Sequence, residues 1–214
     1  MTTAWRTRLG VCALAVCAGA AVSGQARAME FSDVVTGNEL RFLAARPDPQ
    51  GYWYESRVML DADSLTTGLV QLRTCHHQLD PTHRIVIAFN AERVQHIAVA
   101  SAQGVGSAEV VNKRVELRDV QRGGSVCVDL TSRALDATDS GWRLHAGPLM
   151  RRYLDGYLPM RAKLSFGWPK GLLALAHTEP QVQPGVLLTQ AEDGAQLDIT
   201  FAGRMRATLD LTRR

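Results

Sequence analysis

Catalytic signatures are missing from this 214-residue sequence. It contains no G-x-S-x-G elbow, no H-E-x-x-H, no C-x-x-C and no phosphate-binding G-x-x-x-x-G-K, so the enzyme classes that announce themselves by such motifs are set aside. A Ser/His/Asp site could only assemble from distant residues, for example Ser125 with one of the six histidines, and nothing in the sequence selects that combination.

A basic surplus is also missing once the N-terminus is considered. Arg6 and Arg8 precede an uncharged run from Leu9 to Gly24, and the segment closes on Ala26-Arg27-Ala28, the small-x-small pattern of a signal peptidase site. The run is shorter than the about 20 apolar residues of a spanning helix. Residues 1–28 are therefore expected to be a cleaved signal peptide, placing the mature chain in the periplasm or outside the cell. A retained anchor and a lipoprotein are the competing readings, the latter because Leu14-Ala15-Val16-Cys17 loosely resembles a lipobox. No transmembrane segment is expected in the mature chain.

Three basic and no acidic residues leave with the segment, so 21 Lys and Arg face 21 Asp and Glu in the remainder. A nucleic-acid binder would keep a basic excess to neutralise phosphates. That partner is excluded.

Cysteine is scarce too. Of four, Cys12 and Cys17 lie in the signal segment, and Cys75 and Cys127 remain. Two cysteines in an oxidising compartment read as one disulfide, with a pair of free buried thiols as the alternative. Cys75 falls on the face of its strand opposite Val70 and Leu72, and Cys127 opposite Val126, Val128 and Leu130. The disulfide is thus expected on an outer face, away from the main core.

What is present is strand pattern. Tyr52 to Leu60 is rich in aromatic and branched residues, and Gly68 to His76 alternates Val70 and Leu72 against Gln71 and Arg73. Arg84 to Phe89, Val94 to Ser101, Ala108 to Val111, Arg114 to Val120 and Ser125 to Thr131 follow at short intervals, with turns expected at Gln103–Gly106 and Gln121–Gly124. In the last third, Ala162, Leu164, Phe166 and Trp168 alternate with Arg161, Lys163 and Ser165. These features predict an all-β, antiparallel, sandwich-like fold with at most one or two short helices. Two packed β units are expected, residues 29–135 and a smaller 142–214, with the polar stretch 135–141 between them.

Three local readings are specific enough to test. An Asp193-Gly194 turn pairs Leu188 with Ile199 and Val186 with Phe201. A three-residue loop at 202–204 pairs Phe201 with Met205. Residues 148–158 carry apolar side chains at helical spacing, giving either a short helix ending near Gly156 or a hairpin with its tip at Asp155-Gly156.

The chemistry-bearing stretch is Cys75-His76-His77-Gln78-Leu79-Asp80-Pro81-Thr82-His83, with five residues of metal-ligand type, Cys75, His76, His77, Asp80 and His83, among nine. With Asp80-Pro81-Thr82-His83 as a reversing turn, His77 lies opposite Val86 and His76 opposite Ile87. Neighbours on a strand face opposite ways, so the two histidines cannot share an ion. Only Asp80 and His83 are placed to cooperate, and no metal or other cofactor is expected. Gln103-Gly104-Val105-Gly106 lacks the third glycine of a dinucleotide fingerprint, since Glu109 stands there.

Two aromatic and cationic clusters suit a binding surface: Tyr52, Trp53 and Tyr54, and Arg151, Arg152, Tyr153, Tyr157 and Arg161. The expected function is that of an exported, soluble β-sandwich protein of a bacterial-type envelope. It would act as a binding or assembly accessory without catalytic chemistry, for an envelope protein or a small anionic ligand. The competing class is a hydrolase or metal-dependent enzyme with a site near Asp80 and His83.

Overall fold

The computed structural model describes residues 35–36 and 39–214, so the expected signal peptide lies outside the described residues. In chain order the elements are β1 (Val35–Thr36), β2 (Arg41–Phe42), β3 (Trp53–Met59), α1 (Ser64–Thr67), β4 (Leu69–Leu79), β5 (Thr82–Ala88), β6 (Val94–Val111) and β7 (Arg114–Arg133). They continue with β8 (Leu135–Thr138), β9 (Gly141–Leu149), β10 (Arg152–Tyr153), β11 (Gly156–Tyr157), β12 (Met160–Gly167), β13 (Leu173–Glu179), β14 (Val186–Ala191), β15 (Gly194–Ala202) and β16 (Met205–Arg213). The fold is all-β and sandwich-like. Among the described residues no helix is long and apolar enough to cross a membrane.

The large sheet runs β14-β15-β12-β3-β4-β7-β5, with β6 on the other edge of β7 and β2 beside the end of β15. Its pairs are antiparallel except β3 with β12, which run parallel. A second antiparallel sheet, β13-β16-β9-β8, packs against its β14–β3 half. Period-two alternation builds that interface. Ala162, Leu164 and Phe166 of β12 and Leu197, Ile199 and Phe201 of β15 point inward and meet Leu144, Met205, Leu209 and Leu211 of the facing sheet, all buried. Each of the leucine, isoleucine, methionine and phenylalanine side chains contributes about 1.5–3 kcal/mol of transfer free energy.

The other end of the large sheet is an arm built on β7, twenty residues long. β6 lies along it and leads into it through a two-residue turn in which Asn112 and Lys113 have φ of 48° and 59°, the conformation of a tight type I′ turn. Lys113 donates to the carbonyls of Ala91 and Val94, fixing the hairpin end to the preceding loop. On the inner face Leu79, Ile87, Val115, Leu117, Val126 and Val128 form a second core. Tyr52 and Leu72 touch both cores.

Several expected reversals are not reversals. β4 pairs with residues 124–133 of β7 and β5 with residues 114–120, both antiparallel, so β4 and β5 form one interrupted strand rather than a hairpin. Pro81 removes a ladder donor and breaks the pairing without turning the chain back. His76 therefore faces Val126, not Ile87. The turns expected at 103–106 and 121–124 are bulges inside β6 and β7, where the register slips between Gln103 and Val105 and Gly104 takes φ 64°.

The β14–β15 hairpin turns at Glu192-Asp193, pairing Val186 with Ile199 and Leu188 with Leu197. That is two residues from the expected register, a slip that keeps every side chain on its expected face. β15 and β16 do not pair at all: residues 202–204 cross from one sheet to the other. Their apolar faces meet across the core, which satisfies the same alternation by stacking. Gly203 makes the crossing possible, since at its φ of 112° a Cβ would lie 2.1 Å from the Glu39 carbonyl oxygen.

Residues 150–158 form a hairpin, not a helix, with Tyr153 opposite Gly156 and the turn at Leu154-Asp155. The stretch 135–141, expected to separate two units, is the β8–β9 hairpin, and strands from both sides of it share the large sheet through β3 and β12.

Candidate functional site

Strands β3 and β4 sort the expected site residues onto two faces. Tyr54, Ser56, Thr74 and His76 point inward and are buried, while Trp53, Glu55, Cys75 and His77 point outward. The inward set forms a polar seam between the two cores. His76 receives the Tyr52 hydroxyl at Nδ1, 2.8 Å away, and its ring meets that of Tyr54 edge-on at 5.2 Å. Its Nε2 is buried without a partner, as is the Thr74 hydroxyl.

Burial disfavours the charged imidazole, with a smaller contribution from neighbouring His77, and pushes the His76 pKa down to about 4. The same burial pushes the Tyr54 phenol up to about 12 and raises that of Tyr52 as well. At neutral pH these groups form an uncharged, hydrogen-bonded cluster.

On the outer face Trp53 stacks on His77 with centroids 4.1 Å apart. Burial lowers the His77 pKa and the Glu55 carboxylate, 3.7 Å away, opposes the shift. Cys75 and Cys127 lie directly opposite in the β4–β7 ladder, with Cα atoms 4.1 Å apart, and form a disulfide beside the bidentate Arg73–Asp129 pair.

Where Tyr52 leaves the sheet, three guanidiniums distant in sequence come within electrostatic range. Arg151 lies over the Tyr52 ring, 5.2 Å from its centroid, and pairs with Asp80. Arg161 pairs through two hydrogen bonds with Asp198. Arg46 donates to the carbonyls of Gly51 and Tyr52. Burial, then the charge of Arg161, holds the Arg46 guanidinium below its ordinary pKa, with Arg151 adding to the effect and Asp48 and Asp198 opposing it. Arg46, Asp48, Tyr52, Arg151 and Pro159 enclose about 10 Å³ between them. That is close to the space of one water, so the cluster can hold a single carboxylate edge or a water but cannot enclose a metabolite.

Beyond Arg151 the β10–β11 hairpin projects from the sandwich. Arg152 donates to the Leu154 carbonyl and is exposed, as is Tyr153, while Tyr157 is half-buried. Leu154 is 77% exposed.

No family model matches the chain, and no curated protein matches it. Among solved structures it is similar to a variant of an M1 zinc metallopeptidase from Deinococcus radiodurans bound to a Tyr-Ser-Ala substrate. The identity is 13% and the TM-score 0.38, over 84% of this chain and 44% of that one. A two-domain M1 zinc metallopeptidase variant bound to L-tryptophan gives 13% identity and a TM-score of 0.36, over 84% and 45%. The chain thus spans less than half the length of these structures. A likeness this slight transfers neither fold nor activity.

The two expected clusters therefore meet in part. Tyr52 joins Arg151, Trp53 lies beside Arg161 in the β3–β12 register, Tyr54 is on the inner face, and Arg152 and Tyr153 are on the projecting hairpin. Period-two alternation could have separated Trp53 from its tyrosine neighbours at once. Arg46 was hidden in a loop, where no periodicity reports on neighbours. Asp80 and His83 do not cooperate: Asp80 is engaged by Arg151, and the fully exposed His83 faces Asp119 at 3.5 Å.

Proposed function

We propose that this chain is an exported β-sandwich protein of a bacterial-type cell envelope, acting in the periplasm or outside the cell as a binding or assembly accessory without chemistry of its own. The observation that carries the reading is Leu154. It occupies the first position of a two-residue turn with φ 50°, where glycine is at no cost and an L-residue loses about 1–2 kcal/mol. It is also among the most exposed large apolar residues, beside exposed Tyr153 and Met150. Neither the backbone nor the core gains from a leucine there, which is what a contact residue for another molecule looks like.

The partner that fits is an envelope protein offering an apolar pocket with acidic groups around it. Leu154 and Tyr153 would fill the pocket, and exposed Arg152 would face a carboxylate, Arg151 and Arg161 being already paired with Asp80 and Asp198. The water-sized cavity beside Arg46 and Arg151 is too small to take up a free metabolite. The enzymatic alternative near Asp80 and His83 is opposed by the Asp80–Arg151 pair.

The test is a photo-crosslinking residue introduced at 154 in the full-length protein expressed in its own host, with position 187, a similarly exposed leucine, as the control. A discrete adduct at 154 and none at 187 is expected. Absence of an adduct at 154, or the same pattern at both positions, overturns the proposal.

A further inference from the structure

Strand β6 has β7 as its only neighbour along Val94–Val111, and no strand among the described residues borders its other edge. An open edge presents a row of N–H and C=O groups that a further strand can complete, and folds ordinarily guard it with lysine, proline, bulges or a covering segment. The guarding of β6 is uneven. Between Val94 and Val105 its register slips three times. From Val105 to Val111 the pairing is regular, with Val105 opposite Val120 and Val111 opposite Arg114. That stretch contains no lysine, arginine or proline, and Val110 and Val111 are exposed.

Charge on this edge is one-sided. Glu109 lies directly opposite Glu116, a like-charge pair that weakens a ladder. Glu116 is compensated from the far side by Arg84 at 2.9 Å. Glu109 is exposed and, among the described residues, has no ion-pair partner, although Arg114 and Arg118 sit at the diagonal positions on β7.

We propose that Val105–Val111 accepts an extended segment of a partner protein by antiparallel strand addition, with a lysine or arginine of that segment opposite Glu109 and branched apolar residues opposite Ala108 and Val110. Main-chain hydrogen bonds supply the affinity, and the carboxylate fixes register and selects the partner. A second copy of the chain does not meet the requirement, because the edge contains no basic residue and self-pairing leaves both Glu109 carboxylates uncompensated. The inference shares with the preceding section only the premise of a binding protein. It concerns a different surface, so either can fail alone.

The experiment uses the purified, isotope-labelled mature protein and two capped peptides, Thr-Val-Lys-Val-Thr-Val-Thr and its Glu counterpart at the third position. Amide hydrogen exchange locates the contact and titration gives the affinity. Expected is slowed exchange within 105–111 and binding of the Lys peptide about five- to tenfold tighter than the Glu peptide. The ranking should reverse in Glu109→Arg and vanish in Glu109→Gln, while Leu154→Gly leaves it unchanged. Both Glu109 variants alter an exposed side chain, and an unchanged melting temperature verifies their fold. Protection elsewhere, no protection, or a ranking that ignores residue 109 overturns the proposal. So does concentration-dependent self-association that protects 105–111 without peptide, which would give the edge to a second copy.

Discussion

His76 gives the sharpest quantitative expectation, because one buried imidazole couples the polar seam to pH. Its pKa is about 4 in the fold against 6.5 for the free side chain, burial being the main cause. The folded state therefore binds this proton more weakly than the unfolded state. The stability associated with neutral His76 is complete above pH 6.5 and is lost as pH falls toward 4. Linkage between those two values gives a loss of about 2–3 kcal/mol on going from pH 7.5 to 4.5, and almost none of it above pH 7. Carboxylates that the fold stabilises in the charged form, Asp129 beside Arg73 and Asp210 beside Arg143, add a similar trend at lower pH. The informative quantity is therefore the difference from His76→Phe, which keeps a ring and removes the titration. Urea unfolding at the two pH values should show wild type losing about 2–3 kcal/mol more than the variant, a midpoint shift on the order of 1 M. The fixed penalty for leaving the Tyr52 hydroxyl without its 2.8 Å partner cancels in that comparison. Parallel pH dependences, or an imidazole that titrates near 6.5 by NMR, would refute the assignment of His76 as a buried neutral base.

Three further outcomes follow from named contacts. Replacing Cys75 and Cys127 by alanine opens a loop with a sequence separation of 52, for which chain entropy gives about 4 kcal/mol as an upper bound; denaturant midpoints under oxidising conditions measure it, and a loss well under 1 kcal/mol would mean that the ladder alone fixes β4 on β7. Gly203→Ala should destabilise by about 2 kcal/mol or more, because a Cβ would lie 2.1 Å from the Glu39 carbonyl oxygen at a φ that side chains avoid; a near-neutral melting temperature would place the sheet crossing elsewhere. Phe201→Ala, in the centre of the sandwich with no exposed surface, should cost about 3–5 kcal/mol by calorimetry, whereas Leu187→Ala on the exposed side of β14 should cost under 1 kcal/mol.

Much of the architecture was legible because a strand writes its faces in alternate residues. Tyr52–Leu60, Gly68–His76, Arg114–Val120 and Ala162–Trp168 carry that pattern, and the two-residue shift of the β14–β15 register leaves the faces of those two strands intact. Alternation does not say whether an apolar face is met by a neighbour in the same sheet or by a facing one. That is why β15 and β16 looked like a hairpin while in fact they stack across the core. Nor does it say when a proline interrupts a strand without reversing it, as at Pro81, or when glycines make a bulge, as at Gly104 and Gly123-Gly124. The placement of the expected site residues follows from the same pattern. Tyr52 and Arg151 do meet, but Trp53 and Tyr54 were bound to part by period two, and Arg46 reaches Tyr52 from a loop that carries no pattern.

Leu154 supports the most direct test of the account, through one variant measured two ways. Leu154→Gly removes the strained leucine from its turn and the apolar contact from the hairpin tip, while the Arg151–Asp80 pair at the hairpin base is untouched. Expected is a protein more stable by about 0.5–1 kcal/mol that no longer forms an adduct when the crosslinker is carried at neighbouring position 153. A variant that loses stability would show the leucine to be structural, and one that keeps the adduct would show that Leu154 carries none of the contact.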